Sequence, residues 1–361
     1  MDMTDPLLEV EDLEVAYQTP EGRLTAVSDA TFTIEREQFF GLVGESGCGK
    51  STLIKSIING LDPNGAITSG TIKYKGEEIQ GYSDQQFNEK IRWDEISYIP
   101  QGSMNSLDPI ERINKQAVRI GQAHTDLGKE ALLERLRELF DVVGIPRERI
   151  SDYPHQFSGG MKQRAIIALS LLLDPELIIA DEPTTALDVT IETKILNLIE
   201  DLADDMGTAV QLITHDLGVI AEFCDRVMVM YAGKPVEKAP VEDLYYDPKH
   251  PYTVGLMSSI PRIGDKRDRL QTIPGTMPDL IELPPGCSFH TRCPFAEEVC
   301  ARKEPPLLDP ETGDPTTVDS ERGAACLEYS GDLSKGLDYE IVVRDETSDP
   351  TAAATGGDSD E

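Results

Sequence analysis

The stretch GESGCGKS, Gly44–Ser51, fits the pattern G-x-x-x-x-G-K-[ST], and both of its flanks have the character that this pattern needs. The apolar run FFGLVG leads into it as a strand, and KSTLIKSIINGL leaves it with helical spacing. Glycines in such a turn let successive backbone N–H groups curl around phosphate oxygens, while the helix N-terminus behind them adds positive potential. Lys50 is then placed to reach the β- and γ-phosphates and Ser51 to ligate Mg2+. A nucleotide is the expected ligand, touched by Gly44, Ser46, Gly47, Cys48, Gly49, Lys50, Ser51 and Thr52. Cys48 reads as a small filler, or as an alkylation target if the helix terminus stabilises its thiolate.

A second chemical element lies downstream. LIIADEPT ends a strand at Asp181, suited to a contact on the magnesium side, with Glu182 beside it as a candidate base for an attacking water. This strand is expected to neighbour the one that feeds the phosphate loop. LIIAD, AVQLIT and RVMVM are short β-branched runs separated by helical stretches, VTIETKILNLIEDLADDM and DLGVIAEFC, and that alternation implies a buried parallel sheet. Before the loop, LEVAY, LTAV and TFTI read as short strands. From about Pro109 to Leu173 the chain looks mostly helical: ALLERLRELFDVV carries an apolar stripe, and Ser158 is a good N-cap for GGMKQRAIIALSLLL. Past about Pro240 the texture turns rich in proline and glycine, which marks a domain boundary. From about Gly331 it becomes acidic and small-residue-rich, as expected of a disordered tail.

The 361 residues carry 66 Asp and Glu against 33 Lys and Arg, a formal net charge of -33. Such a balance opposes a sequence-independent hold on nucleic acid, so DNA and RNA are excluded as main partners. The acidity runs through the whole chain, as expected of a surface adapted to a salty cytosol where ions screen self-repulsion. MDMTDPLLEV has no secretory character, and no apolar run approaches the ~18 residues that span a bilayer. The expected place is the cytosolic side of a membrane, docked through a partner.

FSGGMKQR, lying between the phosphate loop and LIIADEPT, resembles the signature of ATP-binding cassette (ABC) ATPases, and the resemblance covers roughly Leu7 to Ile260. It implies an α/β P-loop NTPase with a parallel sheet core, an antiparallel β subdomain and a helical subdomain. Carried over to this chain, Tyr17 resembles the aromatic residue that stacks on adenine, Gln101 the glutamine that senses Mg2+ and the transmembrane partner, Asp188 the D-loop aspartate, and His215 the switch histidine at the γ-phosphate. Mg2+ would then be held through Ser51, Gln101 and Asp181, with Glu182, His215 and Lys50 catalytic. The family further implies two cassettes facing head to tail, so that ATP on one loop meets Ser158, Gly159 and Gly160 of the other.

YPHQFSGGMKQR and DPKHPYTVGLMSSIP resemble the ATPase subunits of peptide and nickel permeases, whose C-terminal extension begins at an H-P-Y-T element, here His250–Thr253. The implied partners are a second, paralogous ATPase subunit forming a heterodimer, two transmembrane permease subunits and an extracellular substrate-binding protein. The implied activity is ATP hydrolysis driving uptake of di- or oligopeptides, with oligosaccharide or nickel cargo, or a soluble ABC ATPase, as alternatives. The expected division is an ATPase domain over 1–240 with its helical subdomain at about 105–173, an extension over 241–330, and a tail over 331–361. Together with the acidity, the resemblance points to a halophilic archaeon.

Four of the six cysteines, Cys287, Cys293, Cys300 and Cys326, fall in that extension as C-x5-C-x6-C-x25-C. In a reducing compartment such clusters serve as metal ligands more often than as disulfides. Four thiolates suit a [4Fe-4S] cluster or a tetrahedral Zn2+, and His290 could replace one of them. The iron-sulfur cluster is the expected cofactor, beside ATP and Mg2+, because members of the resembled importer family hold one at such a motif. Cys224, alone in AEFCDRV, reads as a buried small hydrophobe.

Overall fold

The computed structural model describes residues 6–102, 106–184, 189–258, 273–337 and 339. The chain opens with a hairpin, β1 (Leu8–Thr19) and β2 (Gly22–Ile34), followed by β3 (Phe39–Val43), the glycine loop and α1 (Lys50–Ile57). β4 (Gly65–Tyr74) and β5 (Glu77–Glu78) complete an antiparallel sheet in the order β2-β1-β4-β5. One face of it is apolar: Leu8, Val10, Leu13 and Val15 are fully buried against Phe40, Leu42 and Ile54.

α2 (Asp84–Lys90) starts at Ser83 with a reciprocal capping box to Gln86, and leads to β6 (Ile96–Ile99). Next comes a helical layer of α3 (Ile113–His124), α4 (Lys129–Val142), two 3-10 turns and α5 (Gly159–Ser170). Ser158 caps α5 by accepting from the Met161 N–H at 3.4 Å. Leu136, Leu139 and Phe140 of α4, spaced at helical intervals, are buried in one core with Ala165, Ile166 and Ile167 of α5.

The alternation read from the sequence follows as β7 (Leu177–Asp181), α6 (Val189–Met206), β8 (Ala209–Thr214), α7 (Leu217–Phe223) and β9 (Arg226–Tyr231). β10 (Lys234–Pro240), α8 (Val241–Tyr246), α9 (Pro251–Ser258) and the two-residue β11 (Gly323–Ala324) close the chain. The main sheet runs β11-β10-β9-β3-β8-β7-β6, parallel from β9 to β6 and antiparallel at β10 and β11. One expectation needs correcting. The strand ending at Asp181 does not neighbour the strand of the phosphate loop, because β8 lies between them and bonds to both. The crossover through α6 returns the chain on the loop side of β7, which brings the end of β8, and with it His215, into the row between the other two strand ends.

The proline-rich C-terminal segment is docked on this sheet. β11 pairs with β10 through Glu237↔Ala324 and Lys238↔Gly323, covering an edge that would otherwise expose backbone donors and acceptors. Behind that edge sits an aromatic cluster, with ring centroids 4.7 Å apart for Tyr231 and Tyr252, 5.2 Å for Tyr231 and Phe289, and 5.4 Å for Tyr252 and Phe289. His250 is buried beside it, its Nδ1 accepts from the Tyr252 N–H at 3.0 Å, and burial pushes its pKa down to about 3, so the ring is neutral. Leu333 and Leu337, in the stretch expected to be a disordered tail, pack at the cysteine segment, and Tyr339 donates to the Lys249 carbonyl at 2.5 Å. Among the described residues no helix is long and apolar enough to cross a membrane.

Candidate nucleotide site

The parallel strands aim their C-terminal ends at one crevice, where ligands of such sheets bind. β3 ends in the glycine loop, β7 in Asp181 and Glu182, and β8 in His215. A cavity of about 210 Å3 lies there, lined by Tyr17 of β1, by Ser46, Gly47, Gly49, Lys50, Ser51 and Thr52, and by Gln101, Asp181 and Glu182. Tertiary structure therefore assembles these residues from four separate stretches of sequence.

The loop has the form that phosphate binding needs. A Cβ at Gly44 would sit 2.3 Å from the Met230 carbonyl oxygen, and one at Gly49 (φ 107°) would sit 2.3 Å from the Ala26 carbonyl oxygen, so any side chain at either place would force the loop out of its seat. Lys50 is buried, and its Nζ donates to the Gly44 carbonyl at 2.6 Å and the Glu45 carbonyl at 3.0 Å. The cation is thus folded back along the curl of the loop, where a phosphate group would meet it. Cys48 is fully buried, and burial outweighs the nearby Lys50 to raise its thiol pKa. Both features fit a small filler and run against a thiolate stabilised by the helix terminus.

Opposite the loop stands the acidic pair. Asp181 is buried and accepts from the Tyr98 hydroxyl at 3.2 Å, and burial raises its pKa above the ordinary range. A buried carboxylate on the magnesium side gains most from a divalent cation, which would remove the cost of its burial. With Ser51 and Gln101 lining the same cavity, the donor set suits Mg2+, an oxygen-seeking ion. Glu182 takes a left-handed backbone, φ 45°, with its N–H bonded to the Ile213 carbonyl at 2.9 Å. That uncommon conformation turns its carboxylate into the crevice. There Oε2 accepts from Gln101 Nε2 at 2.6 Å and Oε1 lies 3.4 Å from Nδ1 of His215. A carboxylate held between a glutamine and an exposed histidine is geometrically fit to take a proton from water.

The signature residues Ser158, Gly159 and Gly160 form the first turn of α5, where Ser158 and Gly159 are exposed, and none of the three lines this cavity. Asp188 lies outside the described residues. Two contacts escaped the sequence reading. The Glu45 N–H donates to the Tyr252 hydroxyl at 3.0 Å, and the Glu45 carboxylate meets Arg292. Tyr252 sits within the H-P-Y-T element, but nothing in the pattern of either stretch tells which part of the cassette it touches.

The four cysteines of the extension, none of them in a disulfide, line one small enclosed cavity of about 20 Å3 with Phe289, Phe295, Leu327 and Leu333. Burial raises the thiol pKa of Cys287, and pushes those of Cys293 and Cys326 up to about 12. Among the described residues no group of three or more His, Cys, Asp or Glu is spaced to hold a metal ion. Cys224 is buried at the end of α7, with its thiol pKa raised by burial.

Comparison with known proteins settles the family. The model for the ABC transporter family matches residues 27–185, and the model for the oligopeptide/dipeptide transporter C-terminal region matches residues 236–300. The oligopeptide transport ATP-binding protein OppD of Salmonella typhimurium is 44% identical over 303 residues, covering 83% of this chain and 90% of its own. This chain belongs to the ABC transporter ATPases of the oligopeptide/dipeptide importer family. A probable peptide ABC transporter ATP-binding protein, y4tR of Sinorhizobium fredii, is 47% identical over 313 residues, covering 86% of this chain and 93% of its own. Among solved structures, the ATP-binding cassette MJ0796, a dimer in a post-hydrolysis state with ADP and Pi, superposes with a TM-score of 0.56 at 25% identity, covering 65% of this chain and 98% of that one. The cassette cbiO1 of Clostridium perfringens gives a TM-score of 0.57 at 26% identity, covering 67% of this chain and 92% of that one.

As an ABC ATPase the chain binds ATP and Mg2+ and hydrolyses the nucleotide. Glu182→Gln keeps the size and the hydrogen-bonding reach of the side chain but cannot take up the proton. We expect ATP affinity within about threefold of the parent and a fall in turnover of about 100-fold or more, measured as phosphate release by the assembled transporter. Turnover above a tenth of the parent's would remove Glu182 from the role of base.

Proposed function

We propose that this chain is the ATP-hydrolysing subunit of an importer for di- or oligopeptides, acting at the cytoplasmic face of the cell membrane. The reading is carried by one juxtaposition: a cavity lined by the phosphate loop, Gln101, Asp181 and Glu182 lies on the same chain as an extension matching the oligopeptide/dipeptide transporter C-terminal region. Lys50 and the loop amides hold the phosphates. Ser51, Gln101 and Asp181 take Mg2+, Tyr17 stacks on adenine, and Glu182 polarises water while His215 contacts the γ-phosphate. Asp188 takes the D-loop role, and Ser158, Gly159 and Gly160, which do not line their own cavity, serve the site of a second, paralogous cassette. The exposed α5 N-terminus, with its serine cap, supports that role.

Coupling to a permease pair runs through the segment around Gln101. A largely apolar groove of about 520 Å3 opens beside it between β6, α3 and α5, lined by Tyr98, Pro100, Leu107, Ile120 and Leu169. A helix end of a membrane subunit fits such a groove, so motion of the Gln101 segment on ATP hydrolysis reaches the permease. An external binding protein supplies the cargo. Purification of the intact complex through this subunit, followed by calorimetry on its binding protein, checks this: we expect micromolar or tighter binding of short peptides, and binding of oligosaccharides or nickel alone would overturn the peptide assignment.

The extension is proposed to hold a [4Fe-4S] cluster through Cys287, Cys293, Cys300 and Cys326. The convergence of four thiols, none in a disulfide, on one cavity with apolar walls supports it; in the structure as it stands they are neutral and not spaced as ligands, so the cluster would have to deprotonate them and draw them together as it forms. Bound there, the cluster would supply a covalent staple to a segment that has few apolar residues for a core of its own. Analysis of anaerobically purified protein should find iron and acid-labile sulfide, about four of each per chain; zinc without iron would replace the cluster by Zn2+.

The net charge of -33 is proposed to reflect the salty cytosol of a halophilic archaeon. The urea midpoint should then rise steadily from low to molar KCl as the acidic surface is screened, and a flat response would refute the adaptation.

A further inference from the structure

The phosphate loop carries a carboxylate, Glu45, immediately after its first glycine. A negative charge in a loop that must receive a polyphosphate is a liability, and the fold answers it from a distance of 247 residues in sequence. Arg292, which directly precedes Cys293, reaches across the top of β9 and grips Glu45 with a two-pronged pair, Nη1 to Oε2 at 2.9 Å and Nη2 to Oε1 at 2.9 Å. The Arg292 side chain is only 6% exposed and that of Glu45 27%, so the pair is largely removed from water.

The rest of the guanidinium is fully used. Nε donates to the Pro274 carbonyl at 2.8 Å, Nη1 also to the Tyr231 hydroxyl at 3.3 Å, and Nη2 also to the Gly275 carbonyl at 3.4 Å. Every N–H of the side chain therefore meets an acceptor, which fixes its position as a rigid fork. Tyr252 holds the same residue from below, accepting the Glu45 N–H. Met277 Cε stands 3.1 Å from where a Cβ on Gly47 would be, and Leu280 lines the nucleotide cavity itself. The C-terminal extension thus touches the phosphate loop at Glu45 and Gly47 and contributes to the cavity wall.

We infer that Arg292 is a positioning residue for ATP binding: it neutralises Glu45 and sets the phosphate loop from the cysteine-bearing extension, which makes that extension part of the nucleotide site. The inference rests on the ATP site, and ATP binding by the parent chain in the same titration separates failure of the site from failure of the clamp. If Arg292 leaves, the carboxylate stays unpaired in the loop, one residue from Ser46 of the cavity wall, and its charge opposes an incoming polyphosphate. If both partners leave, the repulsion goes with them. A mere staple between extension and cassette predicts no such recovery, because the double loss leaves the junction at least as weak as the single one.

The test is calorimetric titration of the full-length chain with MgATP, with thermal unfolding as a check of fold. R292Q should raise the Kd about tenfold, an effect of the order measured for one uncompensated charge at a binding site. R292K, which keeps the charge, and E45Q/R292Q, which removes both charges, should each return to within about threefold of the parent. K303A, which deletes an exposed ion pair with Asp332 inside the extension, should leave the Kd unchanged. Should R292Q fail to fold, R292M gives the same readout with an apolar side chain that needs no partners. Parent-like ATP affinity in the Arg292→Gln or Arg292→Met variant, or a failure of both R292K and the double variant to recover, would overturn the clamp.

Discussion

Everything in this molecule is arranged around a loop that has no room for side chains where it bends. At Gly44 and Gly49 a single added carbon would lie 2.3 Å from a backbone oxygen of a neighbouring strand, Met230 in one case and Ala26 in the other. The loop is therefore wedged between β9 and β2, two strands from different sheets, and its curl is dictated by that wedge as much as by its own glycines. β3 must be central for this seat to exist, with β9 on one side and β8 on the other. The same strand order brings Glu182, at the end of β7, and His215, at the end of β8, to the edge of the sheet from which the loop leaves β3.

Charge is the second organising force. A chain with twice as many acidic as basic residues must still receive a polyanion. Around the crevice it does so with few cations, each tied in place: Lys50 bonded to two loop carbonyls, and Arg292 spent on Glu45. Burial makes Asp181 a costly carboxylate that a divalent cation would relieve, and a left-handed backbone holds the Glu182 carboxylate between Gln101 and His215. A salt-rich solvent would soften repulsion over the outer surface but reach these buried groups much less.

The extension has a different character from the cassette. It contributes a strand of two residues, an aromatic cluster shared with β9, and a sulfur-lined pocket, in place of a periodic apolar core. Its stability comes from being laid on the cassette and tied to it, through β10, Tyr231 and Glu45. That dependence explains why texture alone marked its start near Pro240 while giving no hint of its contacts.

How much was legible in advance divides along a physical line. Local sequence determined the glycine loop, the strand and helix on either side of it, the acidic pair at the end of LIIAD, the serine cap of α5 and the cysteine spacing, because each of these depends on backbone conformation or on residues close in sequence. Only tertiary structure decided that β8 would stand between the loop and the acidic strand, that Glu182 would be framed by Gln101 and His215, and that Arg292 would close on Glu45. Strand order and long-range ion pairs are chosen by the packing of whole layers, in which residues hundreds of positions apart compete for the same partner, and no short stretch of sequence carries that information.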